Sequence, residues 1–167
     1  MKTNLYSDLR KYLGIGIVGL GMALGTSDAY ADYDFSKDSE KVLLAKMIYG
    51  EARNCQKDER IAIAYTAINR ANDGKKWNGT DVKSAILCPY QYSCFNKNDI
   101  NRKKLENPKD KTYDECLSLA DKILAKKYQD KLKATHYHTK QIKPKWASSK
   151  DMKKIGSLEK HIFYREK

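Results

Sequence analysis

The stretch SEKVLLAKMIYGEARN, Ser39 to Asn54, decides how the rest of the chain is read. Leu44, Met47, Ile48 and Glu51 fall at i, i+3, i+4 and i+7, one face of an α-helix. Ser36 or Asp38 can cap a helix beginning near Ser39, and Gly50 and Asn54 predict its end. Glu51 therefore stands on the apolar stripe near the helix C-terminus. There a carboxyl loses hydration, and the helix dipole disfavours its negative form. Both effects favour the protonated acid near neutral pH, the state a general acid for glycosidic cleavage needs. A structural ion pair with Arg53 or Arg70 is the competing reading.

Working outward, residues 32–38 read as a short polar linker. A second helix is expected after Asp58, with Ile61, Ala64, Tyr65 and Ile68 inward, ending by Asn72-Asp73-Gly74. Thr80 is the expected cap of a short third helix carrying Val82 and Ile86, closed by Pro89. Residues 89–111 are polar and turn-rich and read as a long loop, a common place for function. Thr112 and Glu115 form a capping-box pattern for a helix with Tyr113, Cys116, Leu117, Ala120 and Leu124 inward. Beyond Ala134, Thr135–Thr139 and His161–Tyr164 are short runs of strand formers. The expected fold is mainly α with a small β-sheet, in one domain.

The chain has 167 residues, with 33 Lys and Arg against 21 Asp and Glu, a formal charge of +12. That length excludes a large multidomain enzyme, and no apolar run reaches the length of a membrane span. Lys2, Arg10 and Lys11, the Gly-rich apolar run Tyr12 to Gly25, and Ala29-Tyr30-Ala31 stand in the order of an export signal. Cleavage after Ala31 would leave residues 32–167 as the exported domain, with no stable membrane anchor. Retention of the run as an anchor, or as a buried helix, is the alternative. In an oxidising compartment Cys55, Cys88, Cys94 and Cys116 suggest two disulfides, with Cys94–Cys116 and Cys55–Cys88 the expected pairing. The lysines are spread along the chain without a dense block, which weakens a nucleic-acid reading and leaves anionic wall polymers as the expected partner.

No second carboxylate is placed as Glu51 is. Asp58, Glu59 and Asp81 sit at helix starts, where capping explains them. Ordinary glycosidases use two carboxylates, whereas one suits a substrate that supplies its own nucleophile. His136 and His138 share one strand face and could bind Zn²⁺, but no further ligand motif supports them. A hydrogen-bonding role along a groove is the preferred reading, and no cofactor is expected. Trp77, Trp146, Tyr49, Tyr90, Tyr92 and Tyr137 offer faces for sugar stacking or for core packing.

Ile48-Tyr49-Gly50-Glu51-Ala52-Arg53 with Ala67-Ile68-Asn69-Arg70 resembles the cell wall hydrolase family of spore cortex-lytic enzymes and phage endolysins. The resemblance continues through Pro89–Asn96, Asn98-Asp99 and Asn101-Arg102. It resumes at Ala134–Thr139, Pro144–Ala147, Ile155-Gly156 and His161–Arg165. The blocks run in family order over nearly all of residues 32–167. Phe95 replaces a usual Trp, Ile100 a usual Pro, and Asp130–Lys133 a usual Gly-rich approach. The resemblance implies a lysozyme-like domain, a catalytic Glu51, and cleavage of peptidoglycan glycan strands next to muramic acid. At least some members act as lytic transglycosylases. It also implies a glycan groove bearing Tyr49, Gln91, Ser93, Asn96, His136, Tyr137 and Trp146; a monomer is expected, and the spread of the lysines leaves no nucleic-acid partner expected. A metal-dependent peptidoglycan amidase using His136 and His138, a muramidase using water, and a non-enzymatic basic wall-binding protein are the competing functions.

Overall fold

The computed structural model describes residues 32–167, and the expected leader, residues 1–31, lies outside the described residues. The compact unit runs from Phe35 to Lys167. Among the described residues, five α-helices precede a three-stranded antiparallel sheet. The helices are α1 (Glu40–Ala52), α2 (Lys57–Asn72), α3 (Val82–Leu87), α4 (Arg102–Glu106) and α5 (Lys111–Leu124). The strands are β1 (His136–Thr139), β2 (Met152–Ser157) and β3 (His161–Glu166), in the order β1-β3-β2. The mainly helical fold with a small sheet is the one expected.

Helix α1 is the axis of the molecule, packed against α2, α3, α4 and α5. Its burial is not one stripe: Leu43, Leu44, Ala45, Met47 and Ile48 are all fully enclosed. Each large aliphatic side chain there contributes about 1.5–3 kcal/mol. Even Lys46 is buried, and it is neutralised by Asp38 at 2.8 Å. Ser39 is the cap, accepting the Val42 N–H at 3.3 Å. The expected caps lie upstream: Ser36 is in a 3-10 turn (Phe35–Lys37), and Asp38 is taken by Lys46. Residues 35–37 are thus not linker, for Phe35 is buried edge-on against Phe95 with ring centroids 5.1 Å apart.

Helix α2 turns a different face inward from the one expected. Of the expected residues Ala64 is buried, but Ile61, Tyr65 and Ile68 are half-exposed, and Glu59, Ala62, Ile63, Thr66, Ala67 and Arg70 complete the buried face. Small side chains let α2 approach α1, and the larger ones line surface hollows near Tyr128. Asp81, not Thr80, caps α3 in a reciprocal box with Ser84. Likewise Asp110 caps α5 through the Tyr113 N–H at 3.0 Å, so Thr112 lies inside the helix. The stretch 89–111 holds a 3-10 turn (Ser93–Phe95) and α4, anchored by buried Tyr92, Cys94, Phe95 and Leu105.

Strand β3 is the sheet's centre, with Tyr137 opposite Phe163 and a register break between Lys154 and Gly156. Strand β2 was not expected. It is an edge strand exposing Lys153 and Lys154, so its composition is that of a protected edge. All four cysteines are free thiols, so the expected disulfides are not formed. Their surroundings differ: Cys55 faces Glu59, Cys88 donates to the Trp77 carbonyl at 3.3 Å, Cys94 packs on Gly50, and Cys116 is buried in α5. Burial pushes the Cys55 and Cys116 thiols up to about 11.

Candidate active site

Glu51 occupies the last turn of α1, as the 3.6-residue pattern predicts, but is half-buried rather than enclosed. Two groups hold its carboxyl. The Tyr137 hydroxyl, from β1, donates to Oε2 at 2.9 Å. The Cys94 backbone N–H, from the 3-10 turn, approaches Oε1 at 3.4 Å. The arrangement joins α1, the 89–111 segment and the sheet, three parts of the chain far apart in sequence.

Local chemistry explains how these parts converge. Arg60 closes the C-terminus of α1, its guanidinium donating to the Ala52 carbonyl at 3.2 Å and to that of Arg53. Those carbonyls have no partner within the helix. Gly50 lets the 3-10 turn come close: a Cβ there would lie 2.7 Å from Cys94 Sγ and 2.8 Å from its Cβ. Arg53 donates to Asn101 Oδ1 at 2.9 Å and Arg102 to the Phe95 carbonyl at 2.6 Å, fastening the same segment. Neither arginine of the competing reading binds the carboxyl in an ion pair. Arg53 is engaged with Asn101, and Arg70 lies over the Tyr92 ring at 4.9 Å.

Burial, reinforced by the Glu51 charge, pushes the Tyr137 hydroxyl well above the usual tyrosine range. The hydroxyl therefore remains a donor at all ordinary pH. The Cys94 thiol is pushed up for the same two reasons. Behind them, buried Tyr92 shares a 3.0 Å hydrogen bond with Thr66, and Arg70 leaves Nε and Nη1 without a protein partner. Asp99 lies close enough for its charge to act on the Cys94 thiol, but its Oδ1 accepts the Asn101 N–H at 2.8 Å.

The sequence-predicted residues divide. Tyr137 meets Glu51. Ser93 and Asn96 flank the turn that carries Cys94, Ser93 exposed and Asn96 half-buried. Gln91 is half-buried and donates to Asn78 at 3.4 Å. Tyr49 is not brought to Glu51. Two helical positions differ by about 200° in direction, and Tyr49 is buried with its hydroxyl on Asp110. His136 and Trp146 are not brought there either. Strand alternation sends Tyr137 to one side of β1 and its neighbours to the other. There Trp146 packs on His136 and His138, with centroids 5.5 and 5.6 Å apart. Burial, with Arg70 and Lys75 adding to it, holds His136 well below the usual histidine range.

His136 and His138 do not gather a third metal donor. His138 is committed to the Thr139 carbonyl and the Tyr164 hydroxyl, and His136 Nδ1 to Thr135. Among the described residues, the donors that converge as a metal could require are Cys55, Glu59 and His161. The sequence reading missed Cys94 and Gly50. Cys94 acts through its backbone, which no side-chain pattern reveals. In the sequence Gly50 reads as a helix end, although a glycine beside Glu51 inside the last turn marks a close approach.

The Cell Wall Hydrolase family model matches residues 55–164. Glu51 lies just ahead of the matched segment. No curated protein and no solved structure matches the chain significantly.

Proposed function

The chain belongs to the cell wall hydrolase family, which makes it a peptidoglycan hydrolase, and from that premise we propose that it cuts the glycan strand next to N-acetylmuramic acid as a lytic transglycosylase with Glu51 as the single acid and base. One observation carries this reading. The Glu51 carboxyl is accessible at a helix end, held by a hydroxyl and an amide rather than by a cation, and the nearby Asp99 is engaged by the Asn101 N–H. Glu51 donates its proton to the glycosidic oxygen, and the C1–O bond breaks. The Tyr137 O–H and Cys94 N–H stabilise the carboxylate so formed. Glu51 then takes the proton of the muramic C6 hydroxyl as O6 closes on C1, leaving a 1,6-anhydro end. Removal of residues 1–31 on export would deliver residues 32–167 to the wall, where the basic surface draws anionic polymers. Mass spectrometry of muropeptides released from purified peptidoglycan tests the proposal: anhydro ends are expected. Reducing ends would make the nucleophile water, and cleaved amide bonds with intact glycan would refute glycan cleavage.

A further inference from the structure

Against the Tyr137 ring, through His161, stands a group of side chains that the glycan chemistry does not use. Cys55 follows α1, Glu59 is in the first turn of α2, and His161 opens β3. One donor atom from each lies within 4.8 Å of the others, and all three residues are buried. The carboxylate is unevenly served. Glu59 Oε1 accepts three N–H groups, from the Lys160 and His161 backbones at 2.9 and 2.8 Å and from His161 Nδ1 at 3.0 Å. Glu59 Oε2 is buried and receives no N–H or O–H donor, and the other polar neighbour of the carboxylate is the Cys55 thiol. A carboxylate oxygen left bare in the interior is costly, and a cation is one of the few occupants that would satisfy it.

We propose that Cys55, Glu59 and His161 form a structural site for a divalent transition metal, Zn²⁺ foremost. Thiolate, imidazole and carboxylate are the donor types zinc takes, at about 2.3, 2.0–2.1 and 2.0–2.2 Å. Tetrahedral binding at those lengths separates donors by about 3.3–3.6 Å. His161 Nδ1 already lies 3.0 Å from Glu59 Oε1 and no donor pair exceeds 4.8 Å, so side-chain rotation of a Cys and a His on segments flanking helix and strand brings the three to that spacing. On binding, the Cys55 thiol gives up its proton to solvent, His161 presents Nδ1 without its hydrogen, and Glu59 turns Oε2 to the ion. The fourth position falls to solvent or to bidentate Glu59. The Lys160 ammonium, whose charge reaches the Cys55 thiol, is hydrogen-bonded to the Asn54 carbonyl. Burial excludes a peptidoglycan strand from this ion, so its part is to staple the α1–α2 junction to the sheet. His161 packs edge-on against Tyr137 with centroids 5.3 Å apart, so the staple also backs the tyrosine that holds Glu51.

Cobalt titration of the purified, metal-stripped protein under reductant tests this without any activity assay. One Co²⁺ per chain is expected, with a thiolate-to-cobalt charge-transfer band, displaced by Zn²⁺. Cys55→Ser, checked for an unchanged circular dichroism spectrum, should abolish the band. Glu59→Gln should weaken binding by more than about 100-fold, beyond the 10–100-fold typical of groups that merely orient a ligand. Absence of the band from wild type, or its survival in Cys55→Ser, overturns the site.

Discussion

Glu51 receives two donors of unequal quality, a hydroxyl at 2.9 Å and an amide at 3.4 Å. The shorter bond fixes the carboxyl plane, and the longer leaves Oε1 the freer oxygen to hand a proton to substrate. Glu51→Gln keeps the shape and removes that proton. General acid–base assistance is worth roughly 10²–10⁴ in rate, and one group serving both steps puts the loss at the upper end. Wall turbidity and muropeptide release measure it. A folded Glu51→Gln protein keeping more than about a tenth of the activity would take Glu51 out of the mechanism, and Asp99 would be the next carboxylate to test. Gly50 supplies a second prediction at the same scale. Gly50→Ala places a methyl against Cys94 Sγ and Cβ, and Leu105 lies beyond at 3.4 Å. The 3-10 turn must retreat, which should cost about 1–3 kcal/mol and pull the Cys94 N–H from Glu51. Urea denaturation and activity should fall together. An active Gly50→Ala protein of undiminished stability would show that this close approach does not matter.

At the scale of the element, capping separates the sequence pattern from the structure. Thr112 and Glu115 fit the capping-box spacing, yet Asp110 holds the Tyr113 N–H and also takes the Tyr49 hydroxyl. Asp110→Ala should therefore lower the melting temperature measurably, through the lost cap, whereas Thr112→Ala should leave it nearly unchanged. Thermal melts of the two variants decide, and the reverse order would restore the sequence assignment. The same contrast explains what was legible. Helix α1 was readable because its apolar residues recur at helical spacing, and Glu51 because it continues them. The inward face of α2 was not, because alanines and the polar Glu59, Thr66 and Arg70 do the packing while Ile61, Tyr65 and Ile68 stay half-exposed. Strand β2 was hidden by its lysines. The split of His136 and Trp146 from Tyr137 follows from period-two alternation, but which face meets Glu51 depends on sheet docking, which no local pattern encodes.

Across the whole molecule, buried titratable groups fix how stability responds to acid. His136 is enclosed and held neutral, far below its ordinary 6.5, first by burial and then by Arg70 and Lys75. The unfolded chain binds that proton near 6.5, and the folded chain does not. The folded state is thus at full advantage above pH 6.5 and loses ground as pH falls below it. Two carboxylates extend the decline. For Glu59, burial raises the pKa, but hydrogen bonds from Lys160 and His161 outweigh it and hold the group below its usual 4.5. Asp110 is held below 3.8, chiefly by Tyr49 and the Tyr113 N–H. Each contributes stability above its unfolded value that is lost as pH falls through its folded one. All three effects have one sign, so urea-unfolding stability should be level from pH 6.5 to about 8.5, where the raised Cys55 and Cys116 thiols begin to cost stability, and should fall on acidification in two stages. The first, setting in below pH 6.5, belongs to His136, and the second, added below about 4.5, to the carboxylates. His136→Gln lowers the plateau through lost packing on Trp146 but should remove the first stage and keep the second. A first stage that persists in His136→Gln would assign it to another group, and level wild-type stability from pH 7 to about 5 would contradict the burial of a neutral His136.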